Sequence, residues 1–323
     1  MNKNSKMGEF SLIENYFKQK TIARSDVVMG IGDDGALLKA PKEQLLVFSM
    51  DSLVEGVHFL PKINAYDIGF KSLAVNLSDL AAMGAEPAWL TLALTMPSID
   101  INWINGFTEG LFFLANQFNM QLIGGDTTRG SLTITIQAHG FVPPQQALCR
   151  QGAKAGDKIY VSGTLGDAGL GLKAALGTFV LPEEAHQYVL QRLHRPIPQI
   201  KLGMLLRGLA SSAIDISDGL LADLGHILEA SCVGAEIWTE QIPLSRVLKE
   251  HCTQNETMKL ALTAGDDYEL CFTVPPQEES KLVARLKEEQ ISCCCIGEIK
   301  ESLGMHLLGY SGSLSEYGFQ HFV

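Results

Sequence analysis

The sequence predicts an α/β protein of α+β layers, arranged in two domains. Three observations carry this reading. Short apolar runs of strand character alternate with longer stretches of helical periodicity along the whole chain. The 323 residues exceed the roughly 100–200 of a single domain. A segment from Pro143-Pro144 to Gly156 interrupts the pattern and divides the chain into 1–145 and 146–323.

Taken in order, residues 9–19, EFSLIENYFKQ, read as a short amphipathic helix, and LLVFSMD (45–51) as a buried strand. Phe70, Leu73, Ala74, Leu77 and Ala81 form a helical stripe, with Asp79 off it on the face of Asn76. AWLTLALTM (88–96) is a strand whose two faces are both non-ionic and need cover. Trp103, Phe107, Leu111, Leu114 and Phe118 mark a second helix; MQLIGG (120–125) and LTITIQAHGFV (132–142) are strands. In the second half, DKIYVSG is a strand and GTLGDAGLGLKAAL a glycine-rich turn into a helix. Helices are expected near 184–194 and 199–210, followed by strand AIDIS (213–217), helix DGLLADLGHILEAS and the segment GAEIW. DYELCFTV (267–274) and ISCCCIGEI (291–299) are further strands.

Composition excludes several classes. Hydrophobic residues make up 46% and charged residues 19%, enough for a large core. No apolar run reaches the ~18 residues of a membrane span, and the N-terminal MNKNSKMGEFSL lacks an apolar signal core, which points to the cytoplasm. A net charge of −11 without any basic run argues against a nucleic-acid partner. Seven cysteines suit a reducing compartment. Cys293-Cys294-Cys295 cannot close on one metal from a strand, because neighbours point to opposite faces.

The stretch GIGDDG (30–35) matches a dinucleotide-binding glycine pattern, preceded by the apolar Val27-Val28-Met29 and followed by the acidic Asp51. What fails is the helix: ALLKAPKEQLL follows, with Pro41 soon after. Two fixed negative charges would also repel a pyrophosphate. The local alternatives are a solvated Asp-Gly turn and a site for a hard cation such as Mg2+, which takes carboxylate oxygens. Other acids recur at the ends of apolar runs: Asp51, Asp126, Asp215 with Asp218, and Asp266-Asp267. One such acid is an ordinary cap or turn former, and Asp218 before Gly219 is a plausible N-cap. Five such placements together imply bound divalent cations, since uncompensated carboxylates repel. The chain has no P-loop, H-R-D or D-F-G. The loop Gly163–Gly169 could approach a phosphate or simply join strand to helix, and Arg129 and Arg150 are each a phosphate clamp or a structural ion pair.

GEFSLI (8–13), GIGDDGALL (30–38), SMDSLVEGVHF (49–59), KSLAVNLSDLAAMGAEPAWLTLAL (71–94), LIGGDTTRG (122–130), AIDISDGLLADL (213–224) and DDYELCFTV (266–274) together resemble the thiamine-monophosphate kinases. The resemblance runs to the closing GFQHF and covers nearly the whole chain. The wider superfamily includes aminoimidazole ribonucleotide synthetase. It implies a two-domain synthetase-like fold, with an N-terminal α/β sheet that pairs across a homodimer and a C-terminal α/β domain completing the ATP site. It implies ATP as co-substrate, several Mg2+ ions, and thiamine monophosphate as acceptor. Asp34, Asp51, Asp79, Asp126, Asp215 and Asp218 resemble the magnesium shell, with Ser49 and Met50 contributing oxygens. Spacing leaves Asp33 and Asp34 open as alternatives, and Asp34 is favoured. Gly125, Asp126, Arg150 and Ser217 resemble the ATP-contacting positions, and His58, Asp266 and Phe319 the substrate contacts.

Two departures stand out. Met50 replaces the usual Thr of S-T-D, so only its backbone carbonyl could meet a metal. Asp266 replaces the usual Glu of G-G-E-D-Y-E-L and is one methylene shorter. The implied reaction is direct phosphoryl transfer with no phosphoenzyme. The rivals are another enzyme of the superfamily and a non-catalytic thiamine-phosphate or nucleotide binder.

Overall fold

The computed structural model describes residues 8–310. Phe319 lies outside them. The chain separates into two compact units, Met1–Leu80 with Glu86–Pro144, and Ala81–Ala85 with Gln145–Val323.

The first unit opens with α1 (Glu9–Leu12), which widens at once into a π-helical segment, Ile13–Lys18. Strands β1 (Val27–Met29) and β2 (Leu37–Leu38) pair antiparallel and enclose the GIGDDG turn. After Gly35 the chain passes into β2, so the helix a dinucleotide cradle needs is missing. The remaining elements are β3 (Leu45–Val54), α2 (Ala65–Ala82), β4 (Glu86–Met96), α3 (Ile101–Gln117), β5 (Gln121–Arg129) and β6 (Thr133–Val142). They form a sheet ordered β3-β6-β4-β5, with only β4–β5 parallel. Helix α3 starts at Asp100, whose side chain accepts from the Asn102 and Trp103 amides. Helices α2 and α3 meet backbone to backbone. A Cβ on Gly69 would stand 2.0 Å from the Phe107 carbonyl oxygen, and one on Gly110 2.0 Å from that of Tyr66. The core buries Leu73 and Leu77 of α2, Trp89, Leu90 and Leu94 of β4, and Phe107, Leu111 and Leu114 of α3.

AWLTLALTM lies inside the sheet with Leu90, Leu92, Leu94 and Met96 buried, but Ala93 is exposed and Thr91 and Thr95 are half-buried, so one face is only partly covered within its own unit. One expectation about strands changes. LLVFSMD is not a buried strand but part of an open edge. Phe48 and Met50 are 56% and 64% exposed, while Ser49 and Asp51 on the other face are half-buried. An apolar run signals only that a face needs cover.

The second unit continues with β7 (Lys158–Ser162), α4 (Asp167–Ala175), α5 (Glu183–His194), α6 (Ile200–Leu206), β8 (Ser212–Asp215) and α7 (Leu220–Ser231). It ends with β9 (Gly234–Trp238), α8 (Arg246–His251), α9 (Gln254–Thr263), β10 (Leu270–Val274), α10 (Pro276–Glu288), β11 (Cys293–Lys300) and β12 (Gly304–Leu308). The six-stranded sheet is ordered β12-β9-β11-β7-β10-β8, with β12–β9 its one parallel pair. Its core joins Ile159, Val161, Ile214, Leu224, Ile237, Cys271 and Ile299. The three adjacent cysteines lie on β11, as strand packing requires. Among the described residues no helix is long and apolar enough to cross a membrane.

Candidate active site

The first cluster sits where β3 meets α2. Asp51 and Ser49 share the half-buried face of β3, and Ser49 donates its hydroxyl to the Asp79 carboxylate of α2. Asp51 is hydrogen-bonded to Asp79 as well. Burial, then the Asp79 charge and that hydrogen bond, push the Asp51 carboxyl up to about 7. Met50 points its side chain to the opposite, exposed face, so only its backbone oxygen is available on this side.

The second cluster lines a pocket of about 780 Å³ walled by the N-terminal helical segment, the GIGDDG turn and residues 122–127 of β5. Asp33, Asp34, Gly125 and Asp126 all line it. The Asp33 carboxylate accepts from the Asp34 amide at 2.8 Å, and both residues are exposed. Asp126 is likewise exposed and accepts from the Thr127 amide. Gly125 has φ +150°, and a Cβ there would stand 1.8 Å from the Leu92 carbonyl oxygen. No other residue fits, and the bare backbone faces the pocket.

Asp51 and Asp126 do not follow their strands, as the sequence suggested, but lie within them. They stand on β3 and β5, the two opposite edges of the sheet. Three strand spacings separate these edges, about 14 Å along the sheet. The four acids Asp34, Asp51, Asp79 and Asp126 therefore form two groups in one chain. Among the described residues no three His, Cys, Asp or Glu side chains could hold one ion together. The donors still suit Mg2+, which is commonly held by one or two carboxylates, waters and substrate phosphates. A pair such as Asp51–Asp79, short of positive charge, is what such an ion would relieve.

The third cluster belongs to the second unit. Asp215 closes β8 and is buried opposite Leu270 of β10. Beyond it, the Ser217 carbonyl accepts from the Asp266 amide at 2.9 Å and that of Ile216 from the Tyr268 amide at 2.8 Å. Ser217, Asp218 and Asp266 are thus drawn together at one end of the sheet. Asp218 is not the cap of α7: that position is Gly219. The buried Asp223 instead accepts from the amides of Asp218 and Gly219, both at 3.0 Å. Burial pushes the Asp223 carboxyl up to about 7 against the pull of those amides. Arg150 is exposed.

His58 stands in the turn after β3. Its Nδ1 accepts from the Val54 amide at 3.0 Å, which leaves Nε2 to carry the proton. The expected alternative, a histidine satisfied by backbone, therefore holds for one ring nitrogen.

Sequence reasoning overlooked the pocket wall Phe10, Phe17 and Lys18 and the grouping of the buried Asp167, Asp267 and Glu269 near the half-buried Arg192, although Asp267 itself stood among the strand-end acids. The signal for the latter was present in the alternation of D-D-Y-E-L. Asp267 and Glu269 are buried, and Asp266 and Tyr268 are half-buried.

Residues 32–142 match the family of the AIR synthase related protein, N-terminal domain, and residues 154–307 that of its C-terminal domain. The thiamine-monophosphate kinase of Escherichia coli (strain K12) is 49% identical over 320 residues, 98% of either chain. The chain belongs to the thiamine-monophosphate kinase family. Among solved structures, the thiamine-monophosphate kinase from Stenotrophomonas maltophilia K279a superposes with a TM-score of 0.87 at 44% identity, covering 95% of this chain and 98% of that one. AaThiL complexed with AMPPCP and TMP superposes with a TM-score of 0.79 at 30% identity, covering 100% and 99%.

Proposed function

We propose that the protein is an ATP-dependent kinase that phosphorylates thiamine monophosphate to thiamine diphosphate, the last step in making that cofactor. The observation that carries this is 49% identity along 98% of both chains to a thiamine-monophosphate kinase. The complex of AaThiL with AMPPCP and TMP supports the same pair of ligands.

The residues divide the work as follows. The backbone at Gly125, free of any side chain, lets an ATP phosphate come close to β5, with Arg150 and Ser217 as further ATP contacts. Asp34, Asp51, Asp79, Asp126, Asp215 and Asp218, with the Ser49 hydroxyl and the Met50 carbonyl, hold Mg2+. When bound, Mg2+ supplies positive charge that offsets the repulsion between ATP and an anionic acceptor. His58 donates from Nε2–H to the acceptor, and Asp266 and Phe319 complete its site. The acceptor phosphate is ionised near neutral pH, so no strong general base is needed, and the work of the protein is positioning and charge stabilisation. Transfer is direct, with no phosphoenzyme.

The working form is a homodimer. Strand β3 is a ten-residue edge with exposed Leu46, Phe48 and Met50, and the sheet's other edge is β5. Unpaired edges of this kind need cover. Laying β3 of one copy along β5 of another would bring Asp51 towards Asp126 of the partner subunit, joining acids that one chain keeps apart. The protein works as a cytoplasmic enzyme.

An acceptor panel tests the activity. With ATP and Mg2+, thiamine monophosphate should be consumed and unphosphorylated thiamine left untouched. Equal use of both would refute an acceptor that is already a phosphate.

A further inference from the structure

The second unit contains a buried charged cluster that no site residue belongs to. Asp167 is fully buried, Asp267 and Glu269 are each 2% exposed, Asp167 and Glu269 pair with Arg192, and Asp267 lies within reach of its charge. One Arg192 Nη2 donates to Glu269 Oε1 at 3.0 Å and to the Thr164 carbonyl at 3.1 Å. Glu269 also accepts from the Ser162 hydroxyl at 2.6 Å. Asp167 accepts from the hydroxyls of Thr164, Tyr188 and Ser245. Asp267 accepts from the amides of Gly166 at 2.6 Å and Ala168 at 3.2 Å. Helix α4, whose own cap position is Gly166 with no side chain to offer, is thus capped by a residue a hundred positions away.

The cluster bears on the site through the chain itself. Asp266 and Tyr268 have φ of 68° and 49°, a left-handed conformation that tyrosine in particular avoids. Two such residues around Asp267 turn its carboxylate inward and Asp266 towards Ser217. Backbone in this conformation persists only where its surroundings over-determine it. Here the clamps on either side are the amides of Asp266 and Tyr268 on the Ser217 and Ile216 carbonyls, and the buried carboxylates of Asp267 and Glu269.

We propose that Asp267, with Arg192 and Glu269 behind it, is a positioning residue that holds Asp266 in place for the phosphate acceptor. This rests on the reading of Asp266 as an acceptor contact. It gives the buried acids a role that needs no metal, and it offers compensation for the shorter Asp266: a side chain with less reach depends more on a fixed backbone. A displacement of about 1 Å at a positioning group can cost up to a hundredfold in rate.

The test is a double-mutant cycle on the full-length enzyme with Asp267→Asn, Asp266→Ala and the pair. Asp267→Asn keeps the shape and one acceptor. It should raise KM for thiamine monophosphate about tenfold while KM for ATP stays within about twofold, because the backbone bonds to Ser217 do not pass through the side chain. In the Asp266→Ala background the same change should have less than about a twofold effect. A merely structural role would shift both KM values alike, with the full effect persisting in the Asp266→Ala background; that result overturns the proposal. If Asp267→Asn does not fold, Arg192→Lys carries the same cycle, since lysine keeps the charge but cannot serve Glu269 and Thr164 as a fork. If Asp266→Ala alone leaves KM for thiamine monophosphate unchanged, the reading of Asp266 fails and the proposal with it. If Asp266→Ala raises that KM and Asp267→Asn does not, the proposal alone fails.

Discussion

Asp51 and Asp79 illustrate how a site can sit uneasily in its own fold. They are hydrogen-bonded carboxyls on β3 and α2, and Asp51 is pushed up to about 7 by burial and by its neighbour. Neutralising one should relieve repulsion in the metal-free protein. Asp79→Asn is expected to melt no lower than wild type in EDTA, since an amide can still accept from Ser49, and to show a smaller Mg2+-induced rise together with lost activity. Mg2+ binding only the folded form would contribute about 2.7 kcal/mol at a hundredfold excess over Kd. A melting point several degrees below wild type in EDTA would show Asp79 to be a structural acceptor. At His58 the Val54 amide donates to Nδ1 and fixes the tautomer. His58→Ala should raise KM for thiamine monophosphate far more than KM for ATP; parallel rises would assign the ring a purely structural part.

At the scale of elements, the buried end of D-D-Y-E-L makes the stability of α4 depend on pH. The Asp267 carboxyl is pushed up to about 7, chiefly by burial and further by the Asp167 charge, against the pull of the Gly166 and Ala168 amides and of Arg192. Glu269, which faces Arg192 together with Asp167, is raised as well, by burial. For an acid whose folded pKa is raised, the folded state keeps its proton while the unfolded state has lost it. The stability Asp267 contributes is therefore greatest below the ordinary carboxylate range. It declines as pH rises towards 7, by on the order of 1 kcal/mol per pH unit. Urea unfolding of wild type and Asp267→Asn from pH 4 to pH 8 should show wild type losing ground to the variant as pH rises. A constant difference would mean that Asp267 ionises normally.

The same scale shows what the sequence made legible. The stripe from Phe70 to Ala81 became α2, and the three adjacent cysteines became part of β11, because a helical period and a β-rich apolar run are local signals. LLVFSMD was misjudged because its apolar residues alternate with Ser49 and Asp51 across two faces, and only tertiary structure shows that one face is open. MQLIGG was read as a strand ending before Asp126, but β5 runs on through Asp126 to Arg129, and Gly125 lets it press against Leu92. The motif residues of the site were legible through family resemblance. The pairing of Asp51 with Asp79 and the exclusion of Asp126 from that pair were not, since they depend on strand order.

At the scale of the whole molecule, the two open edges predict both an assembly and a complementation pattern. Wild type should sediment as a dimer at micromolar concentration, and Phe48→Lys, which places a charge on the exposed face of β3, should sediment as a monomer with little activity. A dimeric, fully active Phe48→Lys would move the interface elsewhere. Asp51→Asn and Asp126→Asn should each lose about 10²–10³ in kcat, as removal of a charge-stabilising group typically does. If Asp51 works with Asp126 of the partner subunit, mixing the two inactive variants under conditions of subunit exchange restores activity, because a mixed dimer has one doubly altered site and one intact site. If the site lies within one chain, every site in the mixture carries a defect and none works.

The central claim, transfer of the γ-phosphate of ATP to the phosphate of thiamine monophosphate, is tested most directly by phosphorus NMR of the purified protein with both substrates and Mg2+. The thiamine monophosphate resonance should be replaced by the two coupled resonances of thiamine diphosphate, in step with conversion of ATP to ADP, and the reaction should stop on addition of EDTA. Release of inorganic phosphate from ATP while thiamine monophosphate remains unchanged, or formation of AMP and pyrophosphate, would contradict the account.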